Sequence, residues 1–269
     1  MKKYTLILLL TASPLFAGAP TPVPASQYNT EQGMTLGIEP MALAPYSSSS
    51  WDKNDYTFAG RGSLGYQFAD GLFVTATYFG YAGDLTDHTA VTASQLDQYS
   101  GRMSASYIDL VVGQNFKPTD TLKLSPYVGL RWAVGQEGYT DFRTSPYPAV
   151  VGTTTVPYYA SRDDFKGLGI VLGVDATRAL GNSFSIYGTA KESVVFGSAK
   201  YASTSTTESS SDSAVSISEL GLGLQYDFCF SGVTSNIRLG VEGQWWALSS
   251  FSSGNIGLAG FVMGANFRF

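Results

Sequence analysis

The chain is poor in the residues that build most chemical sites. Its 269 residues include one cysteine, Cys229, and one histidine, His88. A lone thiol cannot close an intramolecular disulfide, and this pair cannot supply a zinc cluster or a Cys/His dyad of sequence neighbours. No metal and no cofactor is therefore expected. Charge is scarce as well: 14% of the residues are charged, against about 25% in ordinary soluble domains. Long apolar runs are missing too, since no uncharged stretch beyond the N-terminus approaches the roughly 20 residues of a transmembrane helix. Yet 44% of the chain is hydrophobic. That hydrophobicity must be spread along the sequence, as it is in a strand with one face turned to lipid.

What is abundant fits. Glycine (30), tyrosine (17) and phenylalanine (16) are plentiful, a mixture that favours strands, tight turns and aromatic surfaces over helices. Met1, Lys2 and Lys3 precede an uncharged run from Tyr4 to Leu10 and the small residues Ala17, Gly18 and Ala19. This is the pattern of a secretory signal peptide, too short for an anchor. The expected organisation is a signal peptide over 1–19, an N-terminal periplasmic segment over 20–32 and a barrel over 33–269. Removing Lys2 and Lys3 changes 16 basic against 21 acidic side chains to 14 against 21, a net charge of −7. Nucleic acid is thereby an unsuitable partner, because phosphate binding needs clustered Lys and Arg.

From Gly33 onward, apolar and polar residues alternate between turn-like segments. Ten strands are predicted, over 33–41, 56–68, 71–82, 98–113, 121–135, 164–177, 183–196, 214–228, 232–247 and 255–269. In the fifth, Leu122, Leu124, Val128, Leu130, Trp132 and Val134 oppose Lys123, Ser125, Tyr127, Gly129 and Arg131. Successive side chains of a strand point to opposite faces, so one side is apolar and the other polar. The eighth sets Leu220, Leu222, Leu224, Tyr226 and Phe228 against Glu219, Gly221, Gly223, Gln225 and Asp227. In the ninth, Ile237, Leu239, Val241 and Trp245 oppose Arg238, Gly240, Glu242 and Gln244. Tyr66, Phe68, Tyr226 and Phe228 are placed for an aromatic girdle. In the seventh, Phe184 and Ile186 share parity with Glu192 and neither face is uniform, so a bulge near Gly188 is expected to exchange the faces. Arg102 shares parity with Ile108 and Leu110 near an outer strand end, where its head can snorkel.

Connections alternate between long and short. Those over 42–55, 83–97, 136–163, 197–213 and 248–254 fall on one side with the long loops; 69–70, 114–120, 178–182 and 229–231 fall on the other with the termini. Outer-membrane barrels have this asymmetry, with short turns in the periplasm, and strands in lipid must close on themselves to pair every backbone group. The fold class expected is all-β: a closed antiparallel transmembrane β-barrel of about ten strands (range 8–12). The chain ends on an alternation, Phe261, Met263, Ala265, Phe267 and Phe269. Phe261, Phe267 and Phe269 in it resemble the C-terminal assembly signal of bacterial outer-membrane barrels.

The stretches GRGSLGYQFADGLFVTATYFGYA at 60–82, YIDLVVGQNF at 107–116, SPYVGLRWA at 125–133 and FKGLGIVLGVDATRALGNSFSIYGTAKESVVFG at 165–197 carry a further likeness. In them the chain resembles the Legionella-type major outer membrane protein family, also found in environmental chlamydiae. The resemblance implies a pore-forming protein of the Gram-negative outer membrane with roles in surface adhesion, and it brings no catalytic residues. Relatives form cysteine-linked envelope networks; here Cys229 permits at most one intermolecular bridge.

The lumen-facing set expected from parity is Arg61, Asp109, Lys123, Arg131, Asp175, Glu219, Arg238, Glu242 and Arg268. The functional expectation is a narrow pore for ions or small solutes, with these charges setting selectivity. Ten strands sit near the eight whose interior side chains fill, so the charges could instead pair and occupy the lumen. The alternative is a non-conducting adhesin or envelope-structural barrel acting through its outer loops. Loop 136–163 offers Tyr139, Phe142, Tyr147, Tyr158 and Tyr159 with Pro146, Pro148 and Pro157, whereas 197–213, with Glu208 and Asp212, reads as disordered or merely solvated. An enzyme is not expected: His88 with Asp84 and Asp87 is a conceivable acid and base set, but no second motif supports it. Asp163 and Asp164 lack the ordered oxygen ligands of a calcium loop. The partners expected are outer-membrane lipid, the barrel assembly machinery, small ions or solutes, and a second copy or a host surface ligand.

Overall fold

A computed structural model describes residues 32–47, 56–91, 96–145, 154–181, 183–204, 206–230, 233–247 and 255–269. The expected signal peptide over 1–19 and the segment from 20 to 31 lie outside the described residues.

The strands are β1 (Gly33–Ser47), β2 (Thr57–Gln67), β3 (Leu72–Val91), β4 (Leu96–Gln114), β5 (Phe116–Thr119), β6 (Leu122–Ser145), β7 (Thr154–Gly181), β8 (Phe184–Ser203), β9 (Thr206–Phe230), β10 (Val233–Ala247) and β11 (Ile256–Arg268). Wall strands pair antiparallel with their neighbours along the chain, β1 pairs with β11, and β4 pairs with β6, so the sheet closes. β5 pairs only with the start of β6, leaving ten strands in the wall. Closure removes the edges that a membrane would not tolerate.

The predicted alternation is realised in space. Leu130, Trp132, Leu220, Leu222, Leu239 and Val241 are exposed on the outer surface, Leu220 at 66%, while Leu122 is half-buried. Outward aromatics gather near the end that carries the termini: Tyr66 and Phe68 meet edge to face at 4.9 Å, and Tyr226 lies 5.0 Å from Phe184 and 6.3 Å from Phe228. At the other end Tyr46 and Trp245 pair at 6.0 Å. The aromatics at the terminal end are placed as an interfacial girdle, and the Tyr46–Trp245 pair lies on the far side of the apolar belt.

Turns at the terminal end are tight. Phe68 N donates to Leu72 O and Gly71 N to Phe68 O, with Gly71 at φ 87°, a left-handed conformation that glycine adopts without steric cost. Gly181 (φ 106°) and Ser183 (φ 67°) form the turn into β8.

Four expectations are corrected. Three of the five long loops are mainly strand among the described residues: β6 and β7 stay paired from Ser145↔Thr154 downward, β8 and β9 up to Ser203↔Thr206, and β3 and β4 up to Val91↔Leu96; 48–55 and 248–254 lie outside the described residues. The serine-rich stretch expected to be disordered or merely solvated is thus ladder, because each strand supplies the other's backbone partners whatever the side chains are. The connection 114–120 contains β5. Cys229 sits in β9, paired with Thr234, and not in the turn. β8 has no bulge at Gly188: its pairing runs regularly from Ser185 to Tyr201. Glu192 therefore faces outward, where it accepts hydrogen bonds from Ser216 Oγ (2.6 Å) and Ser218 Oγ (2.5 Å), and Lys191 faces inward. Arg102 is exposed, with Nε 3.9 Å from Asp84 Oδ1.

Candidate functional site

The interior has two storeys. Toward the terminal end, all nine sequence-predicted lumen residues point inward. Eight of them, Arg61, Asp109, Lys123, Asp175, Glu219, Arg238, Glu242 and Arg268, line one polar cavity of about 470 Å³. Arg131 is fully buried beside it.

Strand register builds the cluster at the cavity's inner end. Glu39 pairs directly with Arg61, Asp109 with Arg131, and Lys191 with Glu219, and each cross-strand pair brings opposite charges together on one face. Arg61 reaches three carboxylates, at 2.9 Å (Glu39), 2.5 Å (Glu242) and 3.3 Å (Glu219). Arg131 holds Asp109 with two parallel bonds, Nε to Oδ1 at 2.6 Å and Nη2 to Oδ2 at 2.7 Å, and touches Glu219 Oε1 at 2.6 Å. Its guanidinium lies 3.8 Å from the Tyr107 ring centroid, and Tyr107 Oη donates to Glu219 at 2.7 Å. Lys191 Nζ stands 3.6 Å from Asp109 and 3.7 Å from Glu219. A bidentate, stacked arginine among buried carboxylates is a rigid pairing. Glu39 and Lys191 were absent from the set read in the sequence. Glu39 was legible from its parity with Thr35 and Gly37; Lys191 was hidden by the supposed bulge.

Beyond the cluster, toward the end with long strands, the interior is mainly apolar, with Gln244 buried in it as the acceptor of a hydrogen bond from Trp246 Nε1 at 3.3 Å and Asp163 and Asp141 also buried. Met41, Leu43, Ala59, Phe79, Met103, Ala105, Ala133, Phe165, Val195, Val215, Ile217, Trp246, Ile256 and Leu258 are each at most 3% exposed. Tyr81, Tyr107, Ala199 and Val262 complete one continuous group to which every wall strand contributes. The sequence reading followed inward parity only where it was polar and missed this storey, although the same parity continues from Arg61 to Ala59, from Thr77 to Phe79 and Tyr81, and from Gln244 to Trp246.

At the outer rim, Tyr159 and Tyr201 hydroxyls meet at 2.7 Å, Arg162 Nε lies 2.8 Å from Asp164, and Lys200 Nζ 2.9 Å from Glu208. Tyr139 and Phe142 lie in β6 and Tyr158 in β7, while Pro146, Tyr147 and Pro148 fall outside the described residues. Asp84 and Asp87 are in β3 with His88, but the side chains of Asp87 and His88 are outside what is described. Among the described residues no group of three His, Cys, Asp or Glu side chains could hold a metal. Cys229 is a free, exposed thiol at the terminal end. Of the C-terminal aromatics, Phe261 (57%) and Phe269 (65%) are exposed and Phe267 is half-buried.

Comparison with known proteins agrees with this architecture. The profile of the family described as Legionella pneumophila major outer membrane protein precursor matches residues 25–266. No curated protein matches the chain. Among solved structures, the outer membrane protease OmpT of Escherichia coli superposes with a TM-score of 0.57 at 10% identity, over 90% of this chain and 98% of that one. A major outer membrane protein of Thermus thermophilus aligns at 15% identity over 88% and 99%, with a TM-score of 0.41. The attachment invasion locus protein Ail of Yersinia pestis aligns at 10% identity over 89% and 100%, with a TM-score of 0.33. At 10% identity the likeness to OmpT concerns the fold alone.

Proposed function

Since this chain belongs to the Legionella pneumophila major outer membrane protein family and is a multi-pass β-barrel of the outer membrane, we propose that it works as an occluded barrel acting at the cell surface. The observation that carries this reading is the apolar storey: all ten wall strands contribute inward side chains that water does not reach. An ion path needs a continuous wet lumen or a polar constriction that replaces hydration. A stretch closed by Leu43, Phe79, Phe165, Ile217, Trp246 and Leu258 provides neither.

The paired charges then act as an internal scaffold that sets register and holds the wall rigid, and selectivity is not their role. The working surface is the outer rim, where β6 to β9 run 24, 28, 20 and 25 residues. About ten residues suffice to cross the hydrocarbon, so these strands carry a stiff, polar, tyrosine-bearing platform well beyond the belt. A paired ladder loses less entropy on contact than a loose loop does, which suits adhesion or an envelope-structural role and needs no catalytic step.

The polar cavity favours a second reading, a narrow pore whose apolar half opens on demand. Planar-bilayer recording of the refolded protein separates the two. Occlusion gives no unitary steps at physiological voltages. Regular ohmic steps in the native barrel would overturn the proposal and restore the pore with its charge-set selectivity.

A further inference from the structure

The polar cavity has an uneven distribution of charge. At its inner end, the three cations Arg61, Arg131 and Lys191 lie within a few ångströms of four carboxylates, Glu39, Asp109, Glu219 and Glu242, an excess of one acid. Nearer its open end the same cavity is lined by Lys117, Lys123, Arg238 and Arg268 and by two carboxylates, Asp175 and Asp227. Asp227 is already engaged, accepting from Ser185 Oγ at 3.3 Å and from Gln225 Nε2 at 2.6 Å. Arg238 donates from Nε to neutral Gln225 at 2.8 Å and lies 5.1 Å from the Tyr187 ring centroid. Lys117 and Lys123 have no salt-bridge partner among the described residues.

The cavity as a whole is lined by six cations and six carboxylates, but they are separated along it: toward the open end Lys117, Lys123 and Arg238 face Asp175 and an already engaged Asp227, and protein walls screen their repulsion less than open water does. Hydroxyl and amide groups surround them: Thr177, Thr189, Ser125 and Asn115 line the cavity, with Ser125 Oγ donating to Asn115 at 2.6 Å. A local excess of cations at the open end, ammonium groups without a salt bridge and neighbouring neutral hydroxyl and amide groups are the chemistry of an anion site. The apolar storey closes the inner end, so the ligand can enter only from the side where the chain termini and short turns lie, the periplasm.

We infer that this vestibule binds a small polyvalent anion of the periplasm, a solute with phosphate or clustered carboxylate groups, held by Lys123 and Lys117 with Arg238 and Arg268. The inference goes beyond surface action, because it assigns the inner end of the barrel a ligand of its own. About 470 Å³ admits a solute of the size of pyrophosphate or citrate and excludes a folded partner.

The test is isothermal titration of the full chain, refolded in a zwitterionic detergent, with sodium pyrophosphate and separately with citrate, against chloride at equal ionic strength. The expected result is saturable binding of one anion per barrel, weakened at least tenfold in Lys123→Gln and further in Lys123→Gln/Lys117→Gln. Lys123→Arg retains it, and Lys200→Gln, at the opposite rim, leaves it unchanged. Preference for pyrophosphate or for citrate identifies phosphate or carboxylate as the ligand group. Heat-modifiable migration of each variant shows that the barrel has closed, so lost binding cannot be mistaken for lost folding. Absence of binding to either anion at millimolar concentration, or equal binding by native protein and Lys123→Gln, overturns the inference. Neither result bears on conductance, so the occlusion proposal stands or falls separately.

Discussion

Replacing Arg131 by methionine distinguishes a paired scaffold from a wet channel lining. The arginine has no exposed surface, makes two hydrogen bonds to Asp109 within 2.7 Å, forms an ion pair with Glu219 at 2.6 Å, donates to Ser193 Oγ at 3.2 Å, and stacks on Tyr107. Without it, Asp109 and Glu219 remain buried, 3% and 4% exposed at their side chains, facing Lys191 at 3.6 Å and 3.7 Å. Breaking a buried pair by removing one partner costs about 3–5 kcal/mol, whereas an exposed pair is worth about 0–1 kcal/mol. Arg131→Met should therefore lower barrel stability by about 3–5 kcal/mol in equilibrium urea unfolding in lipid vesicles. Removing the carboxylate as well, in Arg131→Met/Asp109→Leu, should recover part of the loss, because an apolar replacement of the whole pair leaves no orphaned charge. The coupling between the two sites is then the quantity to read. A loss below about 1 kcal/mol for Arg131→Met would mean that water reaches this level of the lumen, and the scaffold reasoning would fail.

The closure, the lipid face and the lone thiol can each be probed in turn. Truncating the closure in Phe79→Ala/Trp246→Ala, each change costing about 3–5 kcal/mol, should introduce unitary conductance steps absent from the native barrel; a folded double variant that stays silent would place the constriction elsewhere. Glu192→Leu should stabilise the barrel by roughly 1–2 kcal/mol, because a carboxylate on the lipid face is a moderate burden that Ser216 and Ser218 only partly offset; destabilisation in urea titration would contradict its outward placement. Cys229, exposed at the periplasmic end, should give an oxidant-dependent, disulfide-linked band on non-reducing electrophoresis that Cys229→Ser abolishes. A monomer band unmoved by oxidant would remove the cross-link.

Class, strand number and lumen charges were legible because they rest on local alternation. Leu220 to Phe228 and Ile237 to Trp245 reveal their outward faces within a few residues, since pleating alone sends neighbours to opposite sides. Parity likewise assigned Arg61, Asp109, Arg131 and Glu242 to the interior without knowledge of their partners. What local pattern could not supply was anything requiring a second strand. The extensions through Ser145 and Thr206 are ladder because a facing strand provides backbone partners, a benefit invisible in a serine-rich segment read alone. Glu192 faces outward without a bulge because two serines on β9 receive it, and nothing inside β8 announces them. Occlusion depended most on packing between distant strands. Met41, Phe79, Phe165, Ile217 and Trp246 come from five strands, and whether they meet or line an open channel is set by the diameter that strand number and stagger impose. Alternation along each strand was enough to say which side chains enter the barrel. Closure at ten strands then brought the apolar ones into one buried group, on which the proposed occlusion rests, while most of the charged ones pair at the inner end of the polar cavity.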